Sequence, residues 1–252
     1  MLSVIIIVKN EEANLRCCLE SVKWADEVIV LDSGSTDNSI AIAKEYTDKV
    51  YSTDWQGYGI QKQRALERAT GDWVLNLDGD ESVTEELKQA ICTAINQDKA
   101  DAYRIPILLN FYNKPLYYSW SPKRHIRLFK RQGARYSENI VHEAVVLPPQ
   151  TRVGQLKQAI QHHSFRDVSH ALYKMNVYSS YSATMRKKNR SPRFMKTVLG
   201  AWWMFFRCYF IQGGFLEGRE GFLLAVLSAQ GSFYRGIKII FHDKEESGCS
   251  KY

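Results

Sequence analysis

Residues 73–81 read WVLNLDGDE, a strand-length apolar run that ends in Asp78-Gly79-Asp80-Glu81. A run this short, without regular polar alternation, predicts a strand covered on both faces. Working outward, the same pattern occurs at SVIIIV (3–8), EVIVL (27–31) and KVYS (49–52). Between these runs Leu15, Cys18, Leu19 and Val22 recur at helical spacing, and Leu87, Ala90, Ile91, Ala94 and Ile95 repeat the stripe after the fourth run. Ser82 with Glu85 reads as a capping box for that last helix. Strands alternating with helices predict an α/β fold with a mainly parallel central sheet, which places ligands at the carboxyl ends of the strands.

Beyond residue 100 the strand candidates lengthen and alternate: AYRIPILLNF (102–111), RHIRLFK (124–130), HEAVVL (142–147) and LKQAIQHH (156–163). From Asp167 onward the pattern is helical, with Ala171, Leu172, Met175 and Tyr178 on one expected face. The expected organisation is one domain over 1–166, in two halves (1–100 and 101–166), followed by a basic, aromatic-rich helical extension over 167–252.

Hydrophobic residues make up 45% of the 252 and charged residues 24%, which argues against disorder and against a polytopic membrane protein. Five cysteines without a CxxC pair indicate neither a disulfide framework nor a thiolate zinc site, and fit a reducing compartment. The net charge of +7 is confined to one region: residues 1–182 hold 22 basic and 22 acidic side chains, residues 183–252 hold 12 and 5. Such a tail seeks phosphates, on lipid head groups or on nucleic acid. The apolar run at the N-terminus has no basic region before it and is followed at once by Lys9, Asn10, Glu11 and Glu12, so it reads as a strand and not as a targeting signal. VLGAWWMFFRCYFI (198–211) contains Arg207 and falls short of the ~20 apolar residues of a spanning helix.

Polar residues collect after the predicted parallel strands: Asn10, Glu11 and Glu12 after the first, Asp32 in LDSGSTDN after the second, and Asp78 to Glu81 after the fourth. The plainer reading of LDSGSTDN is a turn in which Ser35 or Thr36 caps the next helix. Asp78 and Asp80 are harder to dismiss, because two carboxylates two residues apart repel unless a cation sits with them. Hard oxygen ligands with no cysteine nearby favour Mg²⁺ or Mn²⁺.

The run VIIIVKNEEANLRCCLESV…EVIVLDSGSTDNS…DWQGYGIQKQRALERATGDWVLNLDGDE resembles the nucleotide-sugar-binding half of the family 2 inverting glycosyltransferases, which have the GT-A fold. SWSPKRHIRLFK, ENIVHEAV and FIQGGFLEGREGF resemble a narrower group, the bacterial lipopolysaccharide core β-glucosyltransferases. The resemblance implies that 1–166 is a catalytic domain with a nucleotide-binding half (1–100) and an acceptor half (101–166), that Asp32 binds the base or ribose, that the backbone of Val8, Asn10 and Glu11 helps enclose the uracil, that Lys62 lies near the base or diphosphate, that Asp78 addresses the ribose and that Asp80 holds the metal. The motif here is Asp-Gly-Asp-Glu where the family more commonly has Asp-Ala-Asp-Asp, which leaves the part of Glu81 open.

Displacing a nucleoside diphosphate builds negative charge on the leaving oxygen, which a metal on Asp80 neutralises. The acceptor hydroxyl must also lose its proton. Glu143 in the Val-His-Glu segment is the candidate base, its plainer reading being an ion pair with Arg127 or Arg135. His163 or His142 is a candidate for completing the metal shell, and alternation lets only one of His162 and His163 face inward. Trp120 with Tyr118 and Ser119 suits either a sugar-stacking platform or a core aromatic. The expected partners are a nucleotide-sugar donor, expected to be UDP-glucose, a glycolipid acceptor and an anionic membrane surface, with the protein peripheral on the cytoplasmic face of the bacterial inner membrane. The basic stretch Arg186, Lys187, Lys188, Arg190, Arg193 and Lys196, beside Trp202, Trp203, Phe205, Phe206, Tyr209 and Phe210, supports the last of these. Polyprenyl phosphate or a protein side chain is the alternative acceptor. A nucleic-acid-binding module is disfavoured, because the positive charge is confined to the tail and no RNA-binding or helix-turn-helix signature occurs.

Overall fold

A computed structural model describes residues 1–111, 114–120, 123–137, 144–165, 167–186 and 193–248. The chain divides into two compact units, one of Met1–Leu108 with Pro122–His163, the other of Leu109–Ser121 with Ser164–Tyr252. The second unit thus includes a segment from the region read in sequence as the acceptor half.

The first unit is built on β1 (Leu2–Val8), β2 (Glu27–Asp32), β3 (Val50–Ser52) and β4 (Trp73–Asp78), all parallel, with β2 and β4 flanking β1 and β3 outside β2. The sheet continues as β4-β8-β6-β12-β5, through β8 (Lys123–Lys130), β6 (Ala102–Phe111), β12 (Ile160–Phe165) and β5 (Glu81–Ser82). The β4–β8, β6–β8 and β5–β12 pairs are antiparallel. β7 (Lys114–Leu116) and β11 (Val153–Gln155) pair with β6, and the β6–β11 pair is parallel, so beyond β4 the sheet is mixed. β9 (Arg135–Tyr136) pairs with β10 (Val145–Val146) in a separate ribbon.

Every residue of β1 is buried, and the two-residue period explains how. Val4, Ile6 and Val8 pack with Leu15, Cys18, Leu19 and Val22 of α1 (Glu12–Val22) and Leu87, Ile91 and Ala94 of α4 (Glu85–Gln97). Ile5 and Ile7 face the other way, toward Ala65 and Leu66 of α3 (Tyr58–Arg68) and Phe129 of β8. α2 (Ser39–Lys44) follows β2.

The sequence expectations need four corrections here. The cap of α4 is Thr84, whose hydroxyl accepts from the Leu87 N–H; Ser82 belongs to β5. Neither Ser35 nor Thr36 caps α2, which starts after Asn38. The strand expected over 156–163 occupies Ile160–Phe165. In α5 (Val168–Arg186) the buried positions are Ala171, Ser179 and Ala183, whereas Leu172 and Tyr178 are exposed.

The second unit packs α5, α6 (Phe194–Phe206) and α7 (Arg219–Gly248), with one π-helical turn (Arg207–Ile211) and one 3₁₀ turn (Gly214–Glu217) joining α6 to α7. Its core gathers Leu109, Phe111, Leu116, Phe165, Ala171, Leu224 and Leu227. A Cβ at Gly236 would fall 2.4 Å from Thr197 Cγ2, so α6 and α7 cross closely there. Among the described residues no helix is long and apolar enough to cross a membrane.

Candidate active site

The parallel register brings three strand ends together: Val8 is level with Asp32, and Ile7 with Asp78. The loops that follow β1 and β2 are stitched to each other. Asn10 (φ 57°) takes the left-handed conformation that Asn tolerates, receives the Thr36 N–H on Oδ1 (2.8 Å) and donates its own N–H to Ser35 Oγ (2.9 Å). The Glu11 N–H reaches Ser39 Oγ (2.9 Å), and the Ser33 N–H reaches the Val8 carbonyl (2.9 Å). A backbone-lined turn over residues 8–11 results.

Asp32 is 1% exposed. Its Oδ2 accepts the N–H groups of Gly34 (2.9 Å) and Ser35 (3.0 Å), so the turn reading of this residue is correct as far as it goes. Its Oδ1 is buried without a hydrogen-bond partner. Gln61 holds the neighbouring loop by donating to Ser33 Oγ (3.0 Å) and to the Asp54 carbonyl (2.6 Å).

Asp78 sits between two buried cations, Lys62 Nζ at 3.0 Å and Arg127 Nη2 at 3.1 Å. Burial pushes the Asp78 carboxyl up, but the attraction of Lys62 and Arg127 outweighs it and holds the group well below the usual carboxylate range. Arg127 also binds Glu81 Oε1 (2.7 Å), and Glu81 Oε2 accepts the Asp78 N–H (2.9 Å). Glu81 therefore shapes the loop. Desolvation raises its carboxyl to about 7 despite Arg127. A Cβ at Gly79 would lie 3.3 Å from Val8 Cγ2 and 3.4 Å from Glu11, which explains why glycine suits this tight passage beside β1.

Asp80 is 8% exposed, and its Oδ2 lies 3.2 Å from His162 Nε2. Burial opposes the imidazolium of His162, but the Asp80 carboxylate prevails and its pKa is raised. His163, the expected metal histidine, is directed elsewhere: its Nε2 is 3.1 Å from Ser82 Oγ and its backbone N–H donates to the Asp80 carbonyl (2.8 Å). His162 is level with Glu81 of β5, and its ring reaches Asp80 because Asp80 lies in the turn before that strand and is not bound by the strand alternation. The 3.2 Å separation is close to the edge of about 3 Å between neighbouring ligands on an octahedral ion with bonds of ~2.1 Å. Among the described residues no group of three or more His, Cys, Asp or Glu is placed to hold a metal. Asp80 and His162 are thus spaced to offer two neighbouring ligands to such an ion.

The structure therefore brings Val8, Asn10, Glu11, Asp32, Lys62, Asp78 and Asp80 to the strand ends of the first unit. Trp120 belongs to the second unit. Glu143 and His142 lie outside the described residues. Arg127, read in sequence only as an ion-pair partner of Glu143, and His162, read only as the alternative to His163 for facing inward, are the residues that the structure adds to the site. A charged residue inside the apolar part of β8 was the available signal for Arg127, since a buried guanidinium needs carboxylate partners.

The glycosyl transferase family 2 model matches residues 3–215. The chain belongs to glycosyl transferase family 2. This transferase is 32% identical over 252 residues to an uncharacterized glycosyltransferase of Rickettsia felis, covering 94% of this chain and 89% of that one. It is likewise 32% identical over 251 residues to the lipopolysaccharide core biosynthesis glycosyltransferase LpsC of Rhizobium meliloti, covering 94% and 91%. Among solved structures, S. aureus TarS 1-349 in complex with UDP-GlcNAc aligns over 98% of this chain and 92% of its own at 16% identity, with a TM-score of 0.49. The α/β architecture with its parallel half is the GT-A arrangement anticipated from the sequence.

Proposed function

We propose that this transferase moves a hexosyl group, with inversion, from UDP-glucose or a related UDP-sugar to a lipopolysaccharide core or similar lipid-linked saccharide. The likeness to LpsC supports the acceptor class. The observation that carries the donor side is the buried, unpartnered Asp32 Oδ1 beside the backbone turn at Val8. A buried acceptor atom without a donor is costly, and a nucleotide hydroxyl or ring N–H supplies the missing donor.

In this reading Asp32 binds the base or ribose, the backbone of Val8, Asn10 and Glu11 encloses the uracil, and Asp78 meets the ribose from between Lys62 and Arg127. Lys62 adds positive charge near the diphosphate. Mg²⁺ or Mn²⁺, held by Asp80 and His162, would supply Lewis-acid stabilisation of the leaving diphosphate. Glu143 takes the acceptor proton, a role worth ~10² to 10⁴ in rate. Trp120 stacks on a sugar ring.

Membrane docking at the cytoplasmic face of the inner membrane rests on α6 and the turns after it. Leu199, Trp202, Trp203, Phe206, Phe210, Ile211, Phe215 and Leu216 are all about half exposed or more. No acidic residue occurs between Asp167 and Glu217, whereas Arg193, Lys196 and Arg207 fall within this segment. An apolar face with basic flanks suits an anionic lipid surface.

The test incubates purified protein with a panel of nucleotide sugars and a lipopolysaccharide core acceptor, and follows UDP release with and without divalent metal. Asp80→Ala is expected to abolish transfer without unfolding the protein. Near-normal, metal-independent turnover of that variant would reject the metal role, and transfer from a GDP-sugar alone would reject the donor.

A further inference from the structure

Glu217 is 6% exposed although it ends a short surface turn, and its carboxylate is spent on one loop. Oε1 accepts the Tyr118 N–H (2.9 Å), and Oε2 accepts the Ser119 N–H (3.2 Å) and the Ser119 hydroxyl (2.6 Å). A buried carboxylate is tolerated only where donors replace its hydration, and here three do so. The surrounding chain is shaped for this contact. Gly213 and Gly218 have φ of 75° and 69°, and a Cβ at Gly221 would fall 1.9 Å from the Gly214 carbonyl oxygen. Lys114 ties the same turn from outside, donating to the Glu217 carbonyl (3.2 Å) and to Glu220 (2.7 Å).

What the clamp holds is a loop whose aromatic side chains stay in solvent. Tyr117 is 59% exposed, Tyr118 50% and Trp120 36%. Trp120 adopts φ 31°, outside the regions favoured by a bulky residue, while its indole N–H donates to Ser228 Oγ (2.8 Å) and its ring leans on Phe165 at 5.9 Å. Exposed rings add little to folding, so a strained backbone and a buried carboxylate devoted to holding them point to a ligand. Rings with an open face and a polar rim are suited to the apolar C–H faces of sugars.

We propose that Tyr117, Tyr118 and Trp120 form the acceptor-saccharide platform, and that Glu217 is the positioning residue that sets it. This rests on the saccharide acceptor proposed above and adds the loop that reads it and the group that fixes the loop. Glu217 touches no sugar; it acts through the backbone of Tyr118 and Ser119. Ser119-Trp120 and the Glu217 turn, each from one of the late sequence motifs, are then one device.

The probe is deacylated core oligosaccharide from a Gram-negative lipopolysaccharide, used without lipid. Glu217→Ala and Tyr117→Ala are expected to raise its KM about tenfold or more, to lower kcat by less, and to leave the dissociation constant of UDP unchanged. Glu217→Gln keeps one acceptor oxygen and should fall between wild type and Glu217→Ala. Should Glu217→Ala fail to fold, the exposed Tyr117 still tests the platform without loading the fold. An unchanged oligosaccharide KM in both Tyr117→Ala and Glu217→Gln overturns the inference, as does loss of binding to anionic vesicles in its place. If the wild type transfers to no saccharide, the function proposed above fails, while saturation-transfer NMR of oligosaccharide binding by wild type and Tyr117→Ala still decides the platform.

Discussion

Replacing Arg127 by Met should unsettle both the fold and the site, and the size of the effect can be worked from the contacts. The guanidinium is 6% exposed as a residue and lies 3.1 Å from Asp78 and 2.7 Å from Glu81. Met fills a similar volume but leaves Lys62 as the one cation bound to this carboxylate pair among the described contacts. Two unit charges about 4 Å apart interact by ~4 kcal/mol at an effective dielectric of 20, and removing one partner of a buried pair typically costs ~3 to 5 kcal/mol. That is a large part of the ~5 to 15 kcal/mol that holds a domain together. Glu81→Gln in the same background removes the stranded charge and should recover about half of the loss. Glu81 is already raised by burial, and without Arg127 it rises further, so the folded variant binds a proton that the unfolded chain releases above its ordinary value of 4.5. Stability of Arg127→Met then falls as pH rises from 5 towards 8, by the linkage sign for a raised carboxyl. Urea titrations of the single and double variants at about pH 6 and 8 measure this. A loss under about 1 kcal/mol for Arg127→Met, or a further loss on adding Glu81→Gln, would refute the picture of a buried, mutually dependent cluster.

Other expectations follow from the same contacts. Asp32→Asn keeps an oxygen for the Gly34 and Ser35 N–H groups but turns the unpartnered Oδ1 into a donor, so calorimetry should show UDP binding about tenfold weaker or more; an unchanged affinity would return Asp32 to a turn residue. Glu27 is held at about 2: burial pushes it up, but donors from Lys49, Ser3 and Thr70 prevail. Its folded value lies below the ordinary 4.5, so its contribution is present above that pH and is lost as pH falls towards 2. Glu27→Gln should cost on the order of 2 kcal/mol at neutral pH, allowing for screening at the half-exposed Lys49, and little near pH 2, as read by urea melts at both. Glu143→Gln should lower transfer by ~10² or more in initial-rate assays while UDP binding survives. Replacing Trp202 and Trp203 by Glu should release the protein from anionic vesicles in a flotation assay, and equal flotation of both proteins would remove α6 from the membrane reading.

The parallel half was legible because its signal is local. An unbroken apolar run such as 3–8 needs cover on both faces, and cover on both faces needs helices with stripes like that of Leu15, Cys18, Leu19 and Val22. Asp32, Asp78 and Asp80 were legible as strand-end carboxylates for the same reason. Their partners were not. Arg127 reaches Asp78 only because β8 lies antiparallel beside β4, a pairing between residues 49 apart that no spacing encodes. The choice between His162 and His163 depends on the register of β12 against β5, where His162 is level with Glu81, and a strand displaced from 156–163 to Ile160–Phe165 leaves that register unreadable in advance. In α5 the stripe failed because polar residues supply part of the packed face: Lys238 of α7 reaches Asn176, Ser179 and Ser180.

The way the second unit is assembled has a consequence for synthesis. Its aromatic loop is gripped by residues that follow it by about a hundred positions, Glu217 after Ser119 by 98 and Ser228 after Trp120 by 108. At ~5 to 20 residues per second on the ribosome, that loop waits about 5 to 20 s for its clamp, whereas the parallel strands before it find their partners within the first eighty residues. Throughout that interval Phe111, Leu116 and the aromatic side chains of 117–120 have emerged without their core partners Leu224 and Leu227. The nascent chain should therefore lean on holdase chaperones at this one stage, and slowing translation between residues 121 and 217 should lengthen that dependence without touching the parallel half.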